Sequence, residues 1–139
     1  MDKKPFKGSS FLEFMMVAPV FLLLVMGMIE SSALMYDKVI ITDASREGAR
    51  YGVVIRSGGY AALEDVQAYA QSYCSNKLIN FSGSPSVSVT AMSSNEEGEE
   101  PAFGDSLTVT VTFQYTGVGF MDMLGQTYNL SATTVMSYE

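Results

Sequence analysis

Residues 14–29 read FMMVAPVFLLLVMGMI and hold no charge, while Glu13 and Glu30 stand at their two ends. With Phe11 and Leu12 added, the run is about 28 Å long as a helix, close to the ~30 Å hydrocarbon core of a bilayer. A soluble helix of that length needs a polar face, and this one has none. The stretch is therefore predicted to be membrane-embedded. Pro19 withdraws the hydrogen bond its N–H would give Met15, which bends a membrane helix without breaking it. Lys3, Lys4 and Lys7 precede the run, whereas Glu30 and Asp37 come first on its far side, before Lys38. Positive-inside logic puts the N-terminus in the cytoplasm and the remainder outside.

Three readings of such a segment compete. A secretory signal peptide has a basic start and an apolar middle, and Ser31-Ser32-Ala33 would serve as its small-residue cleavage site. Against it, the apolar stretch is long and the helical pattern continues through the supposed cut. An uncleaved signal anchor is the second reading. The third starts from Glu13, a carboxylate at the mouth of an apolar helix, where acids are costly and usually have a partner. Gly8 closes the basic leader, and a cut after it makes Ser9 the first residue and Glu13 the fifth. Gly8-Ser9-Ser10-Phe11-Leu12-Glu13-Phe14 resembles the type IV prepilin signal, which a membrane prepilin peptidase cuts after glycine on the cytoplasmic side. The resemblance implies Gly8 and Ser9 as the processing site. It also implies that Glu13 pairs with the freed N-terminal amine, its own or that of a neighbouring subunit. An ammonium and a carboxylate are buried together more cheaply than either alone.

Helical spacing persists beyond the apolar run. Leu34, Ile41, Ala44, Gly48, Gly52 and Ile55 recur on one face, opposite Asp43, Arg46 and Arg50. Asp43 with Arg46 and Glu47 with Arg50 are opposite charges at i,i+3. Unbroken from Ser9 to Arg56, this helix would measure about 72 Å, so more than half of it would project from the bilayer as a stalk. Ala44, Gly48 and Gly52 repeat every four residues, a stripe that lets another helix approach closely. That helix is either the chain's own second helix or one from another subunit.

Ser45-Arg46-Glu47-Gly48-Ala49-Arg50-Tyr51-Gly52, following the GSSFLEF start and the Pro-containing helix, resembles TadE-like proteins. These are minor pseudopilins of Tad (Flp-type) pilus systems and commonly carry an A-R-E-G-A-R-Y-A segment. Ser45 and Gly52 stand here in place of two alanines, both small-for-small changes. The resemblance covers roughly residues 8–56 and marks Arg46, Glu47, Gly48, Ala49, Arg50 and Tyr51 as motif positions. It implies a prepilin peptidase, other Tad pilins and pseudopilins, and an inner-membrane assembly platform as partners. It also implies a single-pass protein of the cytoplasmic membrane, in or near the pilus.

Ser57-Gly58-Gly59 is a break. Tyr60 to Leu78 reads as a second helix, with Leu63, Val66, Ala70, Tyr73 and Cys74 on one face. Val87, Val89 and Ala91 then alternate, as do Leu107 to Tyr115 and Leu130 to Met136, marking three half-buried antiparallel strands. The expected fold is α+β: a long N-terminal transmembrane and stalk helix, a second helix and a small three-stranded antiparallel sheet. The expected organisation is a leader at 1–8, a membrane helix at 9–30, its continuation at 31–56 and a small domain at 57–139. That core is modest, so the stalk is expected to supply part of it.

Composition narrows the chemistry. The 139 residues carry 8 Lys and Arg against 15 Asp and Glu, with no histidine and one cysteine. An acidic chain without a basic stripe repels phosphate backbones, so no nucleic acid is expected. Without histidine the commonest general base and metal ligand are missing, and a hydroxyl nucleophile would need Lys38 or Lys77 as its base. No catalytic residue, cofactor, metal or small-molecule substrate is expected. Cys74 reads as an inward helix residue, with an intermolecular bridge or reactive thiol as the alternatives. The loop Asn95-Glu96-Glu97-Gly98-Glu99-Glu100-Pro101, with Asp105 beyond it, reads as a solvated acidic connection or a hard-cation site. The apolar stretch from Gly117 to Gly125 reads as a packed hairpin connection or an exposed tip touching a pilus neighbour. On function, the pseudopilin reading stands beside an uncleaved, signal-anchored extracytoplasmic binding or sensor module.

Overall fold

The computed structural model describes residues 9–55, 59–80, 86–95, 100–117 and 127–139. Helix α1 (Ser9–Val53) is continuous through Pro19 and is about 67 Å long. Its first half, from Phe11 to Ile29, is exposed around its circumference and touches little else. It is long and apolar enough to cross a membrane.

Helix α2 (Leu63–Cys74) is shorter than the expected Tyr60–Leu78 at both ends. Before it, the Tyr60 ring packs edge-on against Tyr138 and its hydroxyl donates to the Glu139 carbonyl, which holds Tyr60 out of the helix. Glu64 and Asp65 occupy its first turn, where carboxylates favour the N-terminal end of the helix dipole. After it, Ser75 leaves helical geometry at φ −60°, ψ 132°, and Asn76 takes φ +63°, a left-handed conformation that asparagine tolerates, in the turn that the Lys77 N–H closes on the Cys74 carbonyl at 3.2 Å.

Strands β1 (Ser86–Ser93), β2 (Ser106–Thr116) and β3 (Thr127–Ser137) form an antiparallel sheet in the order β1-β2-β3. The register pairs Val89 with Val111 and Val111 with Ala132. Period-two alternation sends Leu107, Val109, Val111, Phe113 and Tyr115 to one side, and all five are fully buried. Thr108, Thr110 and Thr112 take the other side, where the Thr110 and Thr133 hydroxyls lie 3.0 Å apart.

The buried side meets the helices. The outer half of α1 lies over β2 and β3, and α2 lies over β1 and against α1. The core therefore draws Ile41, Ala44 and Ala49 from α1, Val66, Ala70 and Cys74 from α2, and Ala91, Ala132 and Tyr138 from the rest. The α+β architecture expected from the sequence is the one observed. Ile55 differs: α1 ends at Val53, and Ile55 falls beyond it, 60% exposed, rather than on the packed face.

Two rungs fix α1 against β3. The Lys38 ammonium donates to the Ser131 carbonyl, and the Ser45 hydroxyl lies 2.7 Å from that of Thr134. Three strand residues advance about 10 Å, and seven helix residues about 10.5 Å. Helix and strand thus run side by side in step, and the Thr127 end of the sheet is the end nearer the membrane helix.

Candidate functional site

Apart from Gly8, the functional candidates lie on α1. Ser9 begins the helix, and Gly8 lies outside the described residues, as do the rest of the leader, Glu96 to Glu99 of the acidic loop and residues 118–126. Glu13 is exposed one turn into the helix, with Phe11, Leu12 and Phe14 exposed around it. A carboxylate so placed is open to a charge from another chain.

The second group occupies the last three turns. Ala44 is fully buried. A Cβ on Gly48 would stand 2.9 Å from the Ala70 Cβ, and one on Gly52 would overlap Leu107 and stand 2.9 Å from Val66 Cγ2. The small stripe thus faces α2 and β2 of the same chain. Of the motif residues, Ala49 is buried, Arg46 and Arg50 are exposed, and Glu47 is half-buried. Tyr51 stacks on Tyr69 with ring centroids 4.4 Å apart. The exposed Arg46 guanidinium reaches Asp43 at 4.0 Å, while among the described residues Glu47 and Arg50 form no ion pair. The segment divides by face: small residues bring α2 and the sheet onto α1, and arginines point away from them.

Three buried polar residues on α1 were not legible as such. Glu30 is 5% exposed, and Asp37 and Ser45 are fully buried. Asp37 Oδ1 accepts from the Ile79 N–H at 2.9 Å, tying α1 to the segment after α2. Burial pushes its pKa above the usual carboxylate value, and that one hydrogen bond only partly offsets the rise. Tyr115 projects from β2 toward the same region. Burial raises its phenol, and the charges of Glu30 and Asp37 raise it further. Glu30 Oε1, Asp37 Oδ2 and Tyr115 Oη have no hydrogen-bond partner among the described residues. One signal could have found the acids: Glu30, Asp37 and Ala44 recur at spacing seven, so carboxylates share the packed stripe.

Cys74 is buried at 1% exposure, and burial raises its thiol pKa against the opposing charge of Lys77. A buried, protonated thiol is a poor nucleophile. Asp105 serves a turn, with Oδ2 accepting from the Ala102 N–H at 2.7 Å. Among the described residues no group of three or more His, Cys, Asp or Glu side chains is arranged to hold a metal ion.

Fold and helix together define a small α+β module hung on one long apolar helix. Residues 8–50 match the family model described as "TadE-like protein". The matched span opens at Gly8 and runs through Glu13 and the membrane segment to Arg50, so the resemblance read from the sequence holds over these residues. No curated protein and no solved structure matches the chain.

Proposed function

We propose that the protein acts as a minor pseudopilin in Tad-type, type IV-like pilus biogenesis. A prepilin peptidase cuts after Gly8 on the cytoplasmic side and leaves Ser9 with a free ammonium. Within the apolar surroundings of helices packed in the membrane, Glu13 neutralises that charge, on a neighbouring subunit or on its own chain. The domain on the far side then offers its surface to other Tad pilins and to the assembly platform of the inner membrane.

The observation that carries this reading is the continuity of α1. One 45-residue helix joins an exposed glutamate, an apolar span and the helix face on which the domain is built. The match over residues 8–50 supports it, because it covers both the prepilin-like start and most of the motif. On this reading the role is structural.

Mass spectrometry of protein extracted from membranes tests the first step, which requires loss of the eight leader residues. An intact leader would return the chain to an uncleaved anchor bearing a binding or sensor module. The variant Glu13→Ala tests the second step. Processing is expected to continue while incorporation into the assembly is lost, and normal piliation by that variant would refute the amine-pairing role.

A further inference from the structure

By sequence, the apolar run ends at Glu30. In the structure the lipid-compatible surface of α1 does not. Glu30 and Asp37 are buried against the domain, so neither carboxylate faces outward. Ser31 and Ser32 turn their hydroxyls back to the Gly27 and Met28 carbonyls at 2.7 and 2.8 Å, and Thr42 does the same with Lys38. Hydroxyls so engaged tolerate apolar surroundings. The helix face away from the domain continues as Met28, Ile29, Met35, Tyr36 and Val39, with Met35 73% and Val39 58% exposed. From Phe11 to Val39 the helix is about 43 Å long, the thickness of a whole bilayer with its headgroup layers, about 40–45 Å. Beyond Val39 the outward face changes character, to Asp43 and Arg46.

The domain adds a second aromatic residue at this level. Since Ser131 is level with Lys38 and Thr134 with Ser45, one more step of the same length sets Tyr128 level with Ser31. Tyr128 is 40% exposed, and Tyr36 lies about 7.5 Å further along the axis at 47%. Exposed tyrosines grouped just past a membrane span mark the headgroup level, where an amphipathic ring has an apolar and a wet side. The Lys38 ammonium, exposed beside the Ser131 carbonyl to which it donates, is a cation placed to meet lipid phosphates as well.

We propose that the α1 face of Met35, Tyr36 and Val39, together with Tyr128, rests in the headgroup layer of the bilayer that α1 crosses. The near end of the domain then sits in lipid and does not stand clear of it. The occupant is lipid because this face continues, without a break in the helix, the surface that the membrane span presents to acyl chains. The inference rests on the membrane-spanning reading of α1.

The chain contains no tryptophan, so single substitutions report cleanly. Met16→Trp, Tyr36→Trp, Val39→Trp, Tyr128→Trp and Phe103→Trp are made in the full chain. Each is reconstituted in phosphatidylcholine–phosphatidylglycerol vesicles carrying brominated acyl chains. Tyr36→Trp, Val39→Trp and Tyr128→Trp are expected to emit to the blue and to lose emission most with bromines near the headgroup. Met16→Trp is expected to lose most with deep bromines. Phe103→Trp, 87% exposed in the connection at the sheet's other end, is expected to respond only to aqueous acrylamide. Acrylamide quenching without lipid quenching at 36, 39 and 128 would overturn the proposal, since the domain would then stand in water. Shielding from both quenchers would overturn it in favour of a second copy on this face. Failure of Met16→Trp to sense lipid would instead sink the spanning reading itself.

Discussion

Asp37 sits on the packed side of α1 with one oxygen engaged by the Ile79 N–H and the other without a partner among the described residues. An ionised carboxylate so enclosed loses its hydration for a single hydrogen bond, and its pKa lies above the ordinary 3.8. Between that value and the raised folded value, the folded chain holds a proton that the unfolded chain has released. Its effect on stability is therefore most favourable below 3.8 and is lost as pH rises through the raised value. Asp37→Asn can still accept from Ile79 but never ionises. In thermal unfolding of the full chain in non-ionic detergent, the variant's advantage over the parent is expected to grow as pH rises through that range. A gap that stays constant from pH 4 to 8 would contradict the assignment.

At the scale of the element, α1 changes its role along its length. In the membrane half Gly27 has open space beside it, and Gly27→Ala is expected to be neutral or mildly stabilising. In the outer half the glycines are spacers. Alanine adds up to about 1 kcal/mol of helix propensity over glycine, but overlap in a packed core costs about 1–3 kcal/mol. At Gly52 a new Cβ meets Val66, a β-branched residue with little freedom at χ1, and overlaps Leu107. At Gly48 it meets the Cβ of Ala70, which has no rotamer to escape into. Gly52→Ala is thus expected to lose about 1–2 kcal/mol, and Gly48→Ala somewhat less, both read by chemical unfolding with Gly27→Ala as the control. Stability unchanged at Gly52 would mean that α1 and the sheet separate more easily than this packing allows. The strands show the opposite economy, since period-two alternation alone sends five β2 side chains into the core.

For the whole molecule, the segment from Gly59 onward is expected not to be self-sufficient. Without α1 the sheet would expose Leu107, Val109 and Val111 along the strip that Ile41, Ala44, Gly48 and Ala49 now cover. A fragment of residues 59–139 is expected to lack a cooperative unfolding transition, while residues 31–139 unfold cooperatively. Circular dichroism during urea unfolding distinguishes them. A cooperative transition in the shorter fragment would show that α1 merely leans on a finished domain.

Local physics determined most of this from the sequence. An uncharged run of membrane length, helical spacing from Leu34 to Gly52 and period-two strands each follow from how a short stretch meets water or lipid. The α+β class, the long first helix and the three antiparallel strands were legible for that reason. So was the resemblance, because its residues from Ser9 to Gly52 lie within one continuous helix. Only the tertiary structure decided what the polar residues of that helix do. Glu30 and Asp37 look in sequence like charges facing solvent, and their burial depends on β2 and on the segment after α2, which return from far along the chain. The start of α2 was decided in the same way, by the contacts of Tyr60 with Tyr138 and Glu139. Charge and spacing are properties of neighbours in sequence, whereas burial belongs to the assembled whole.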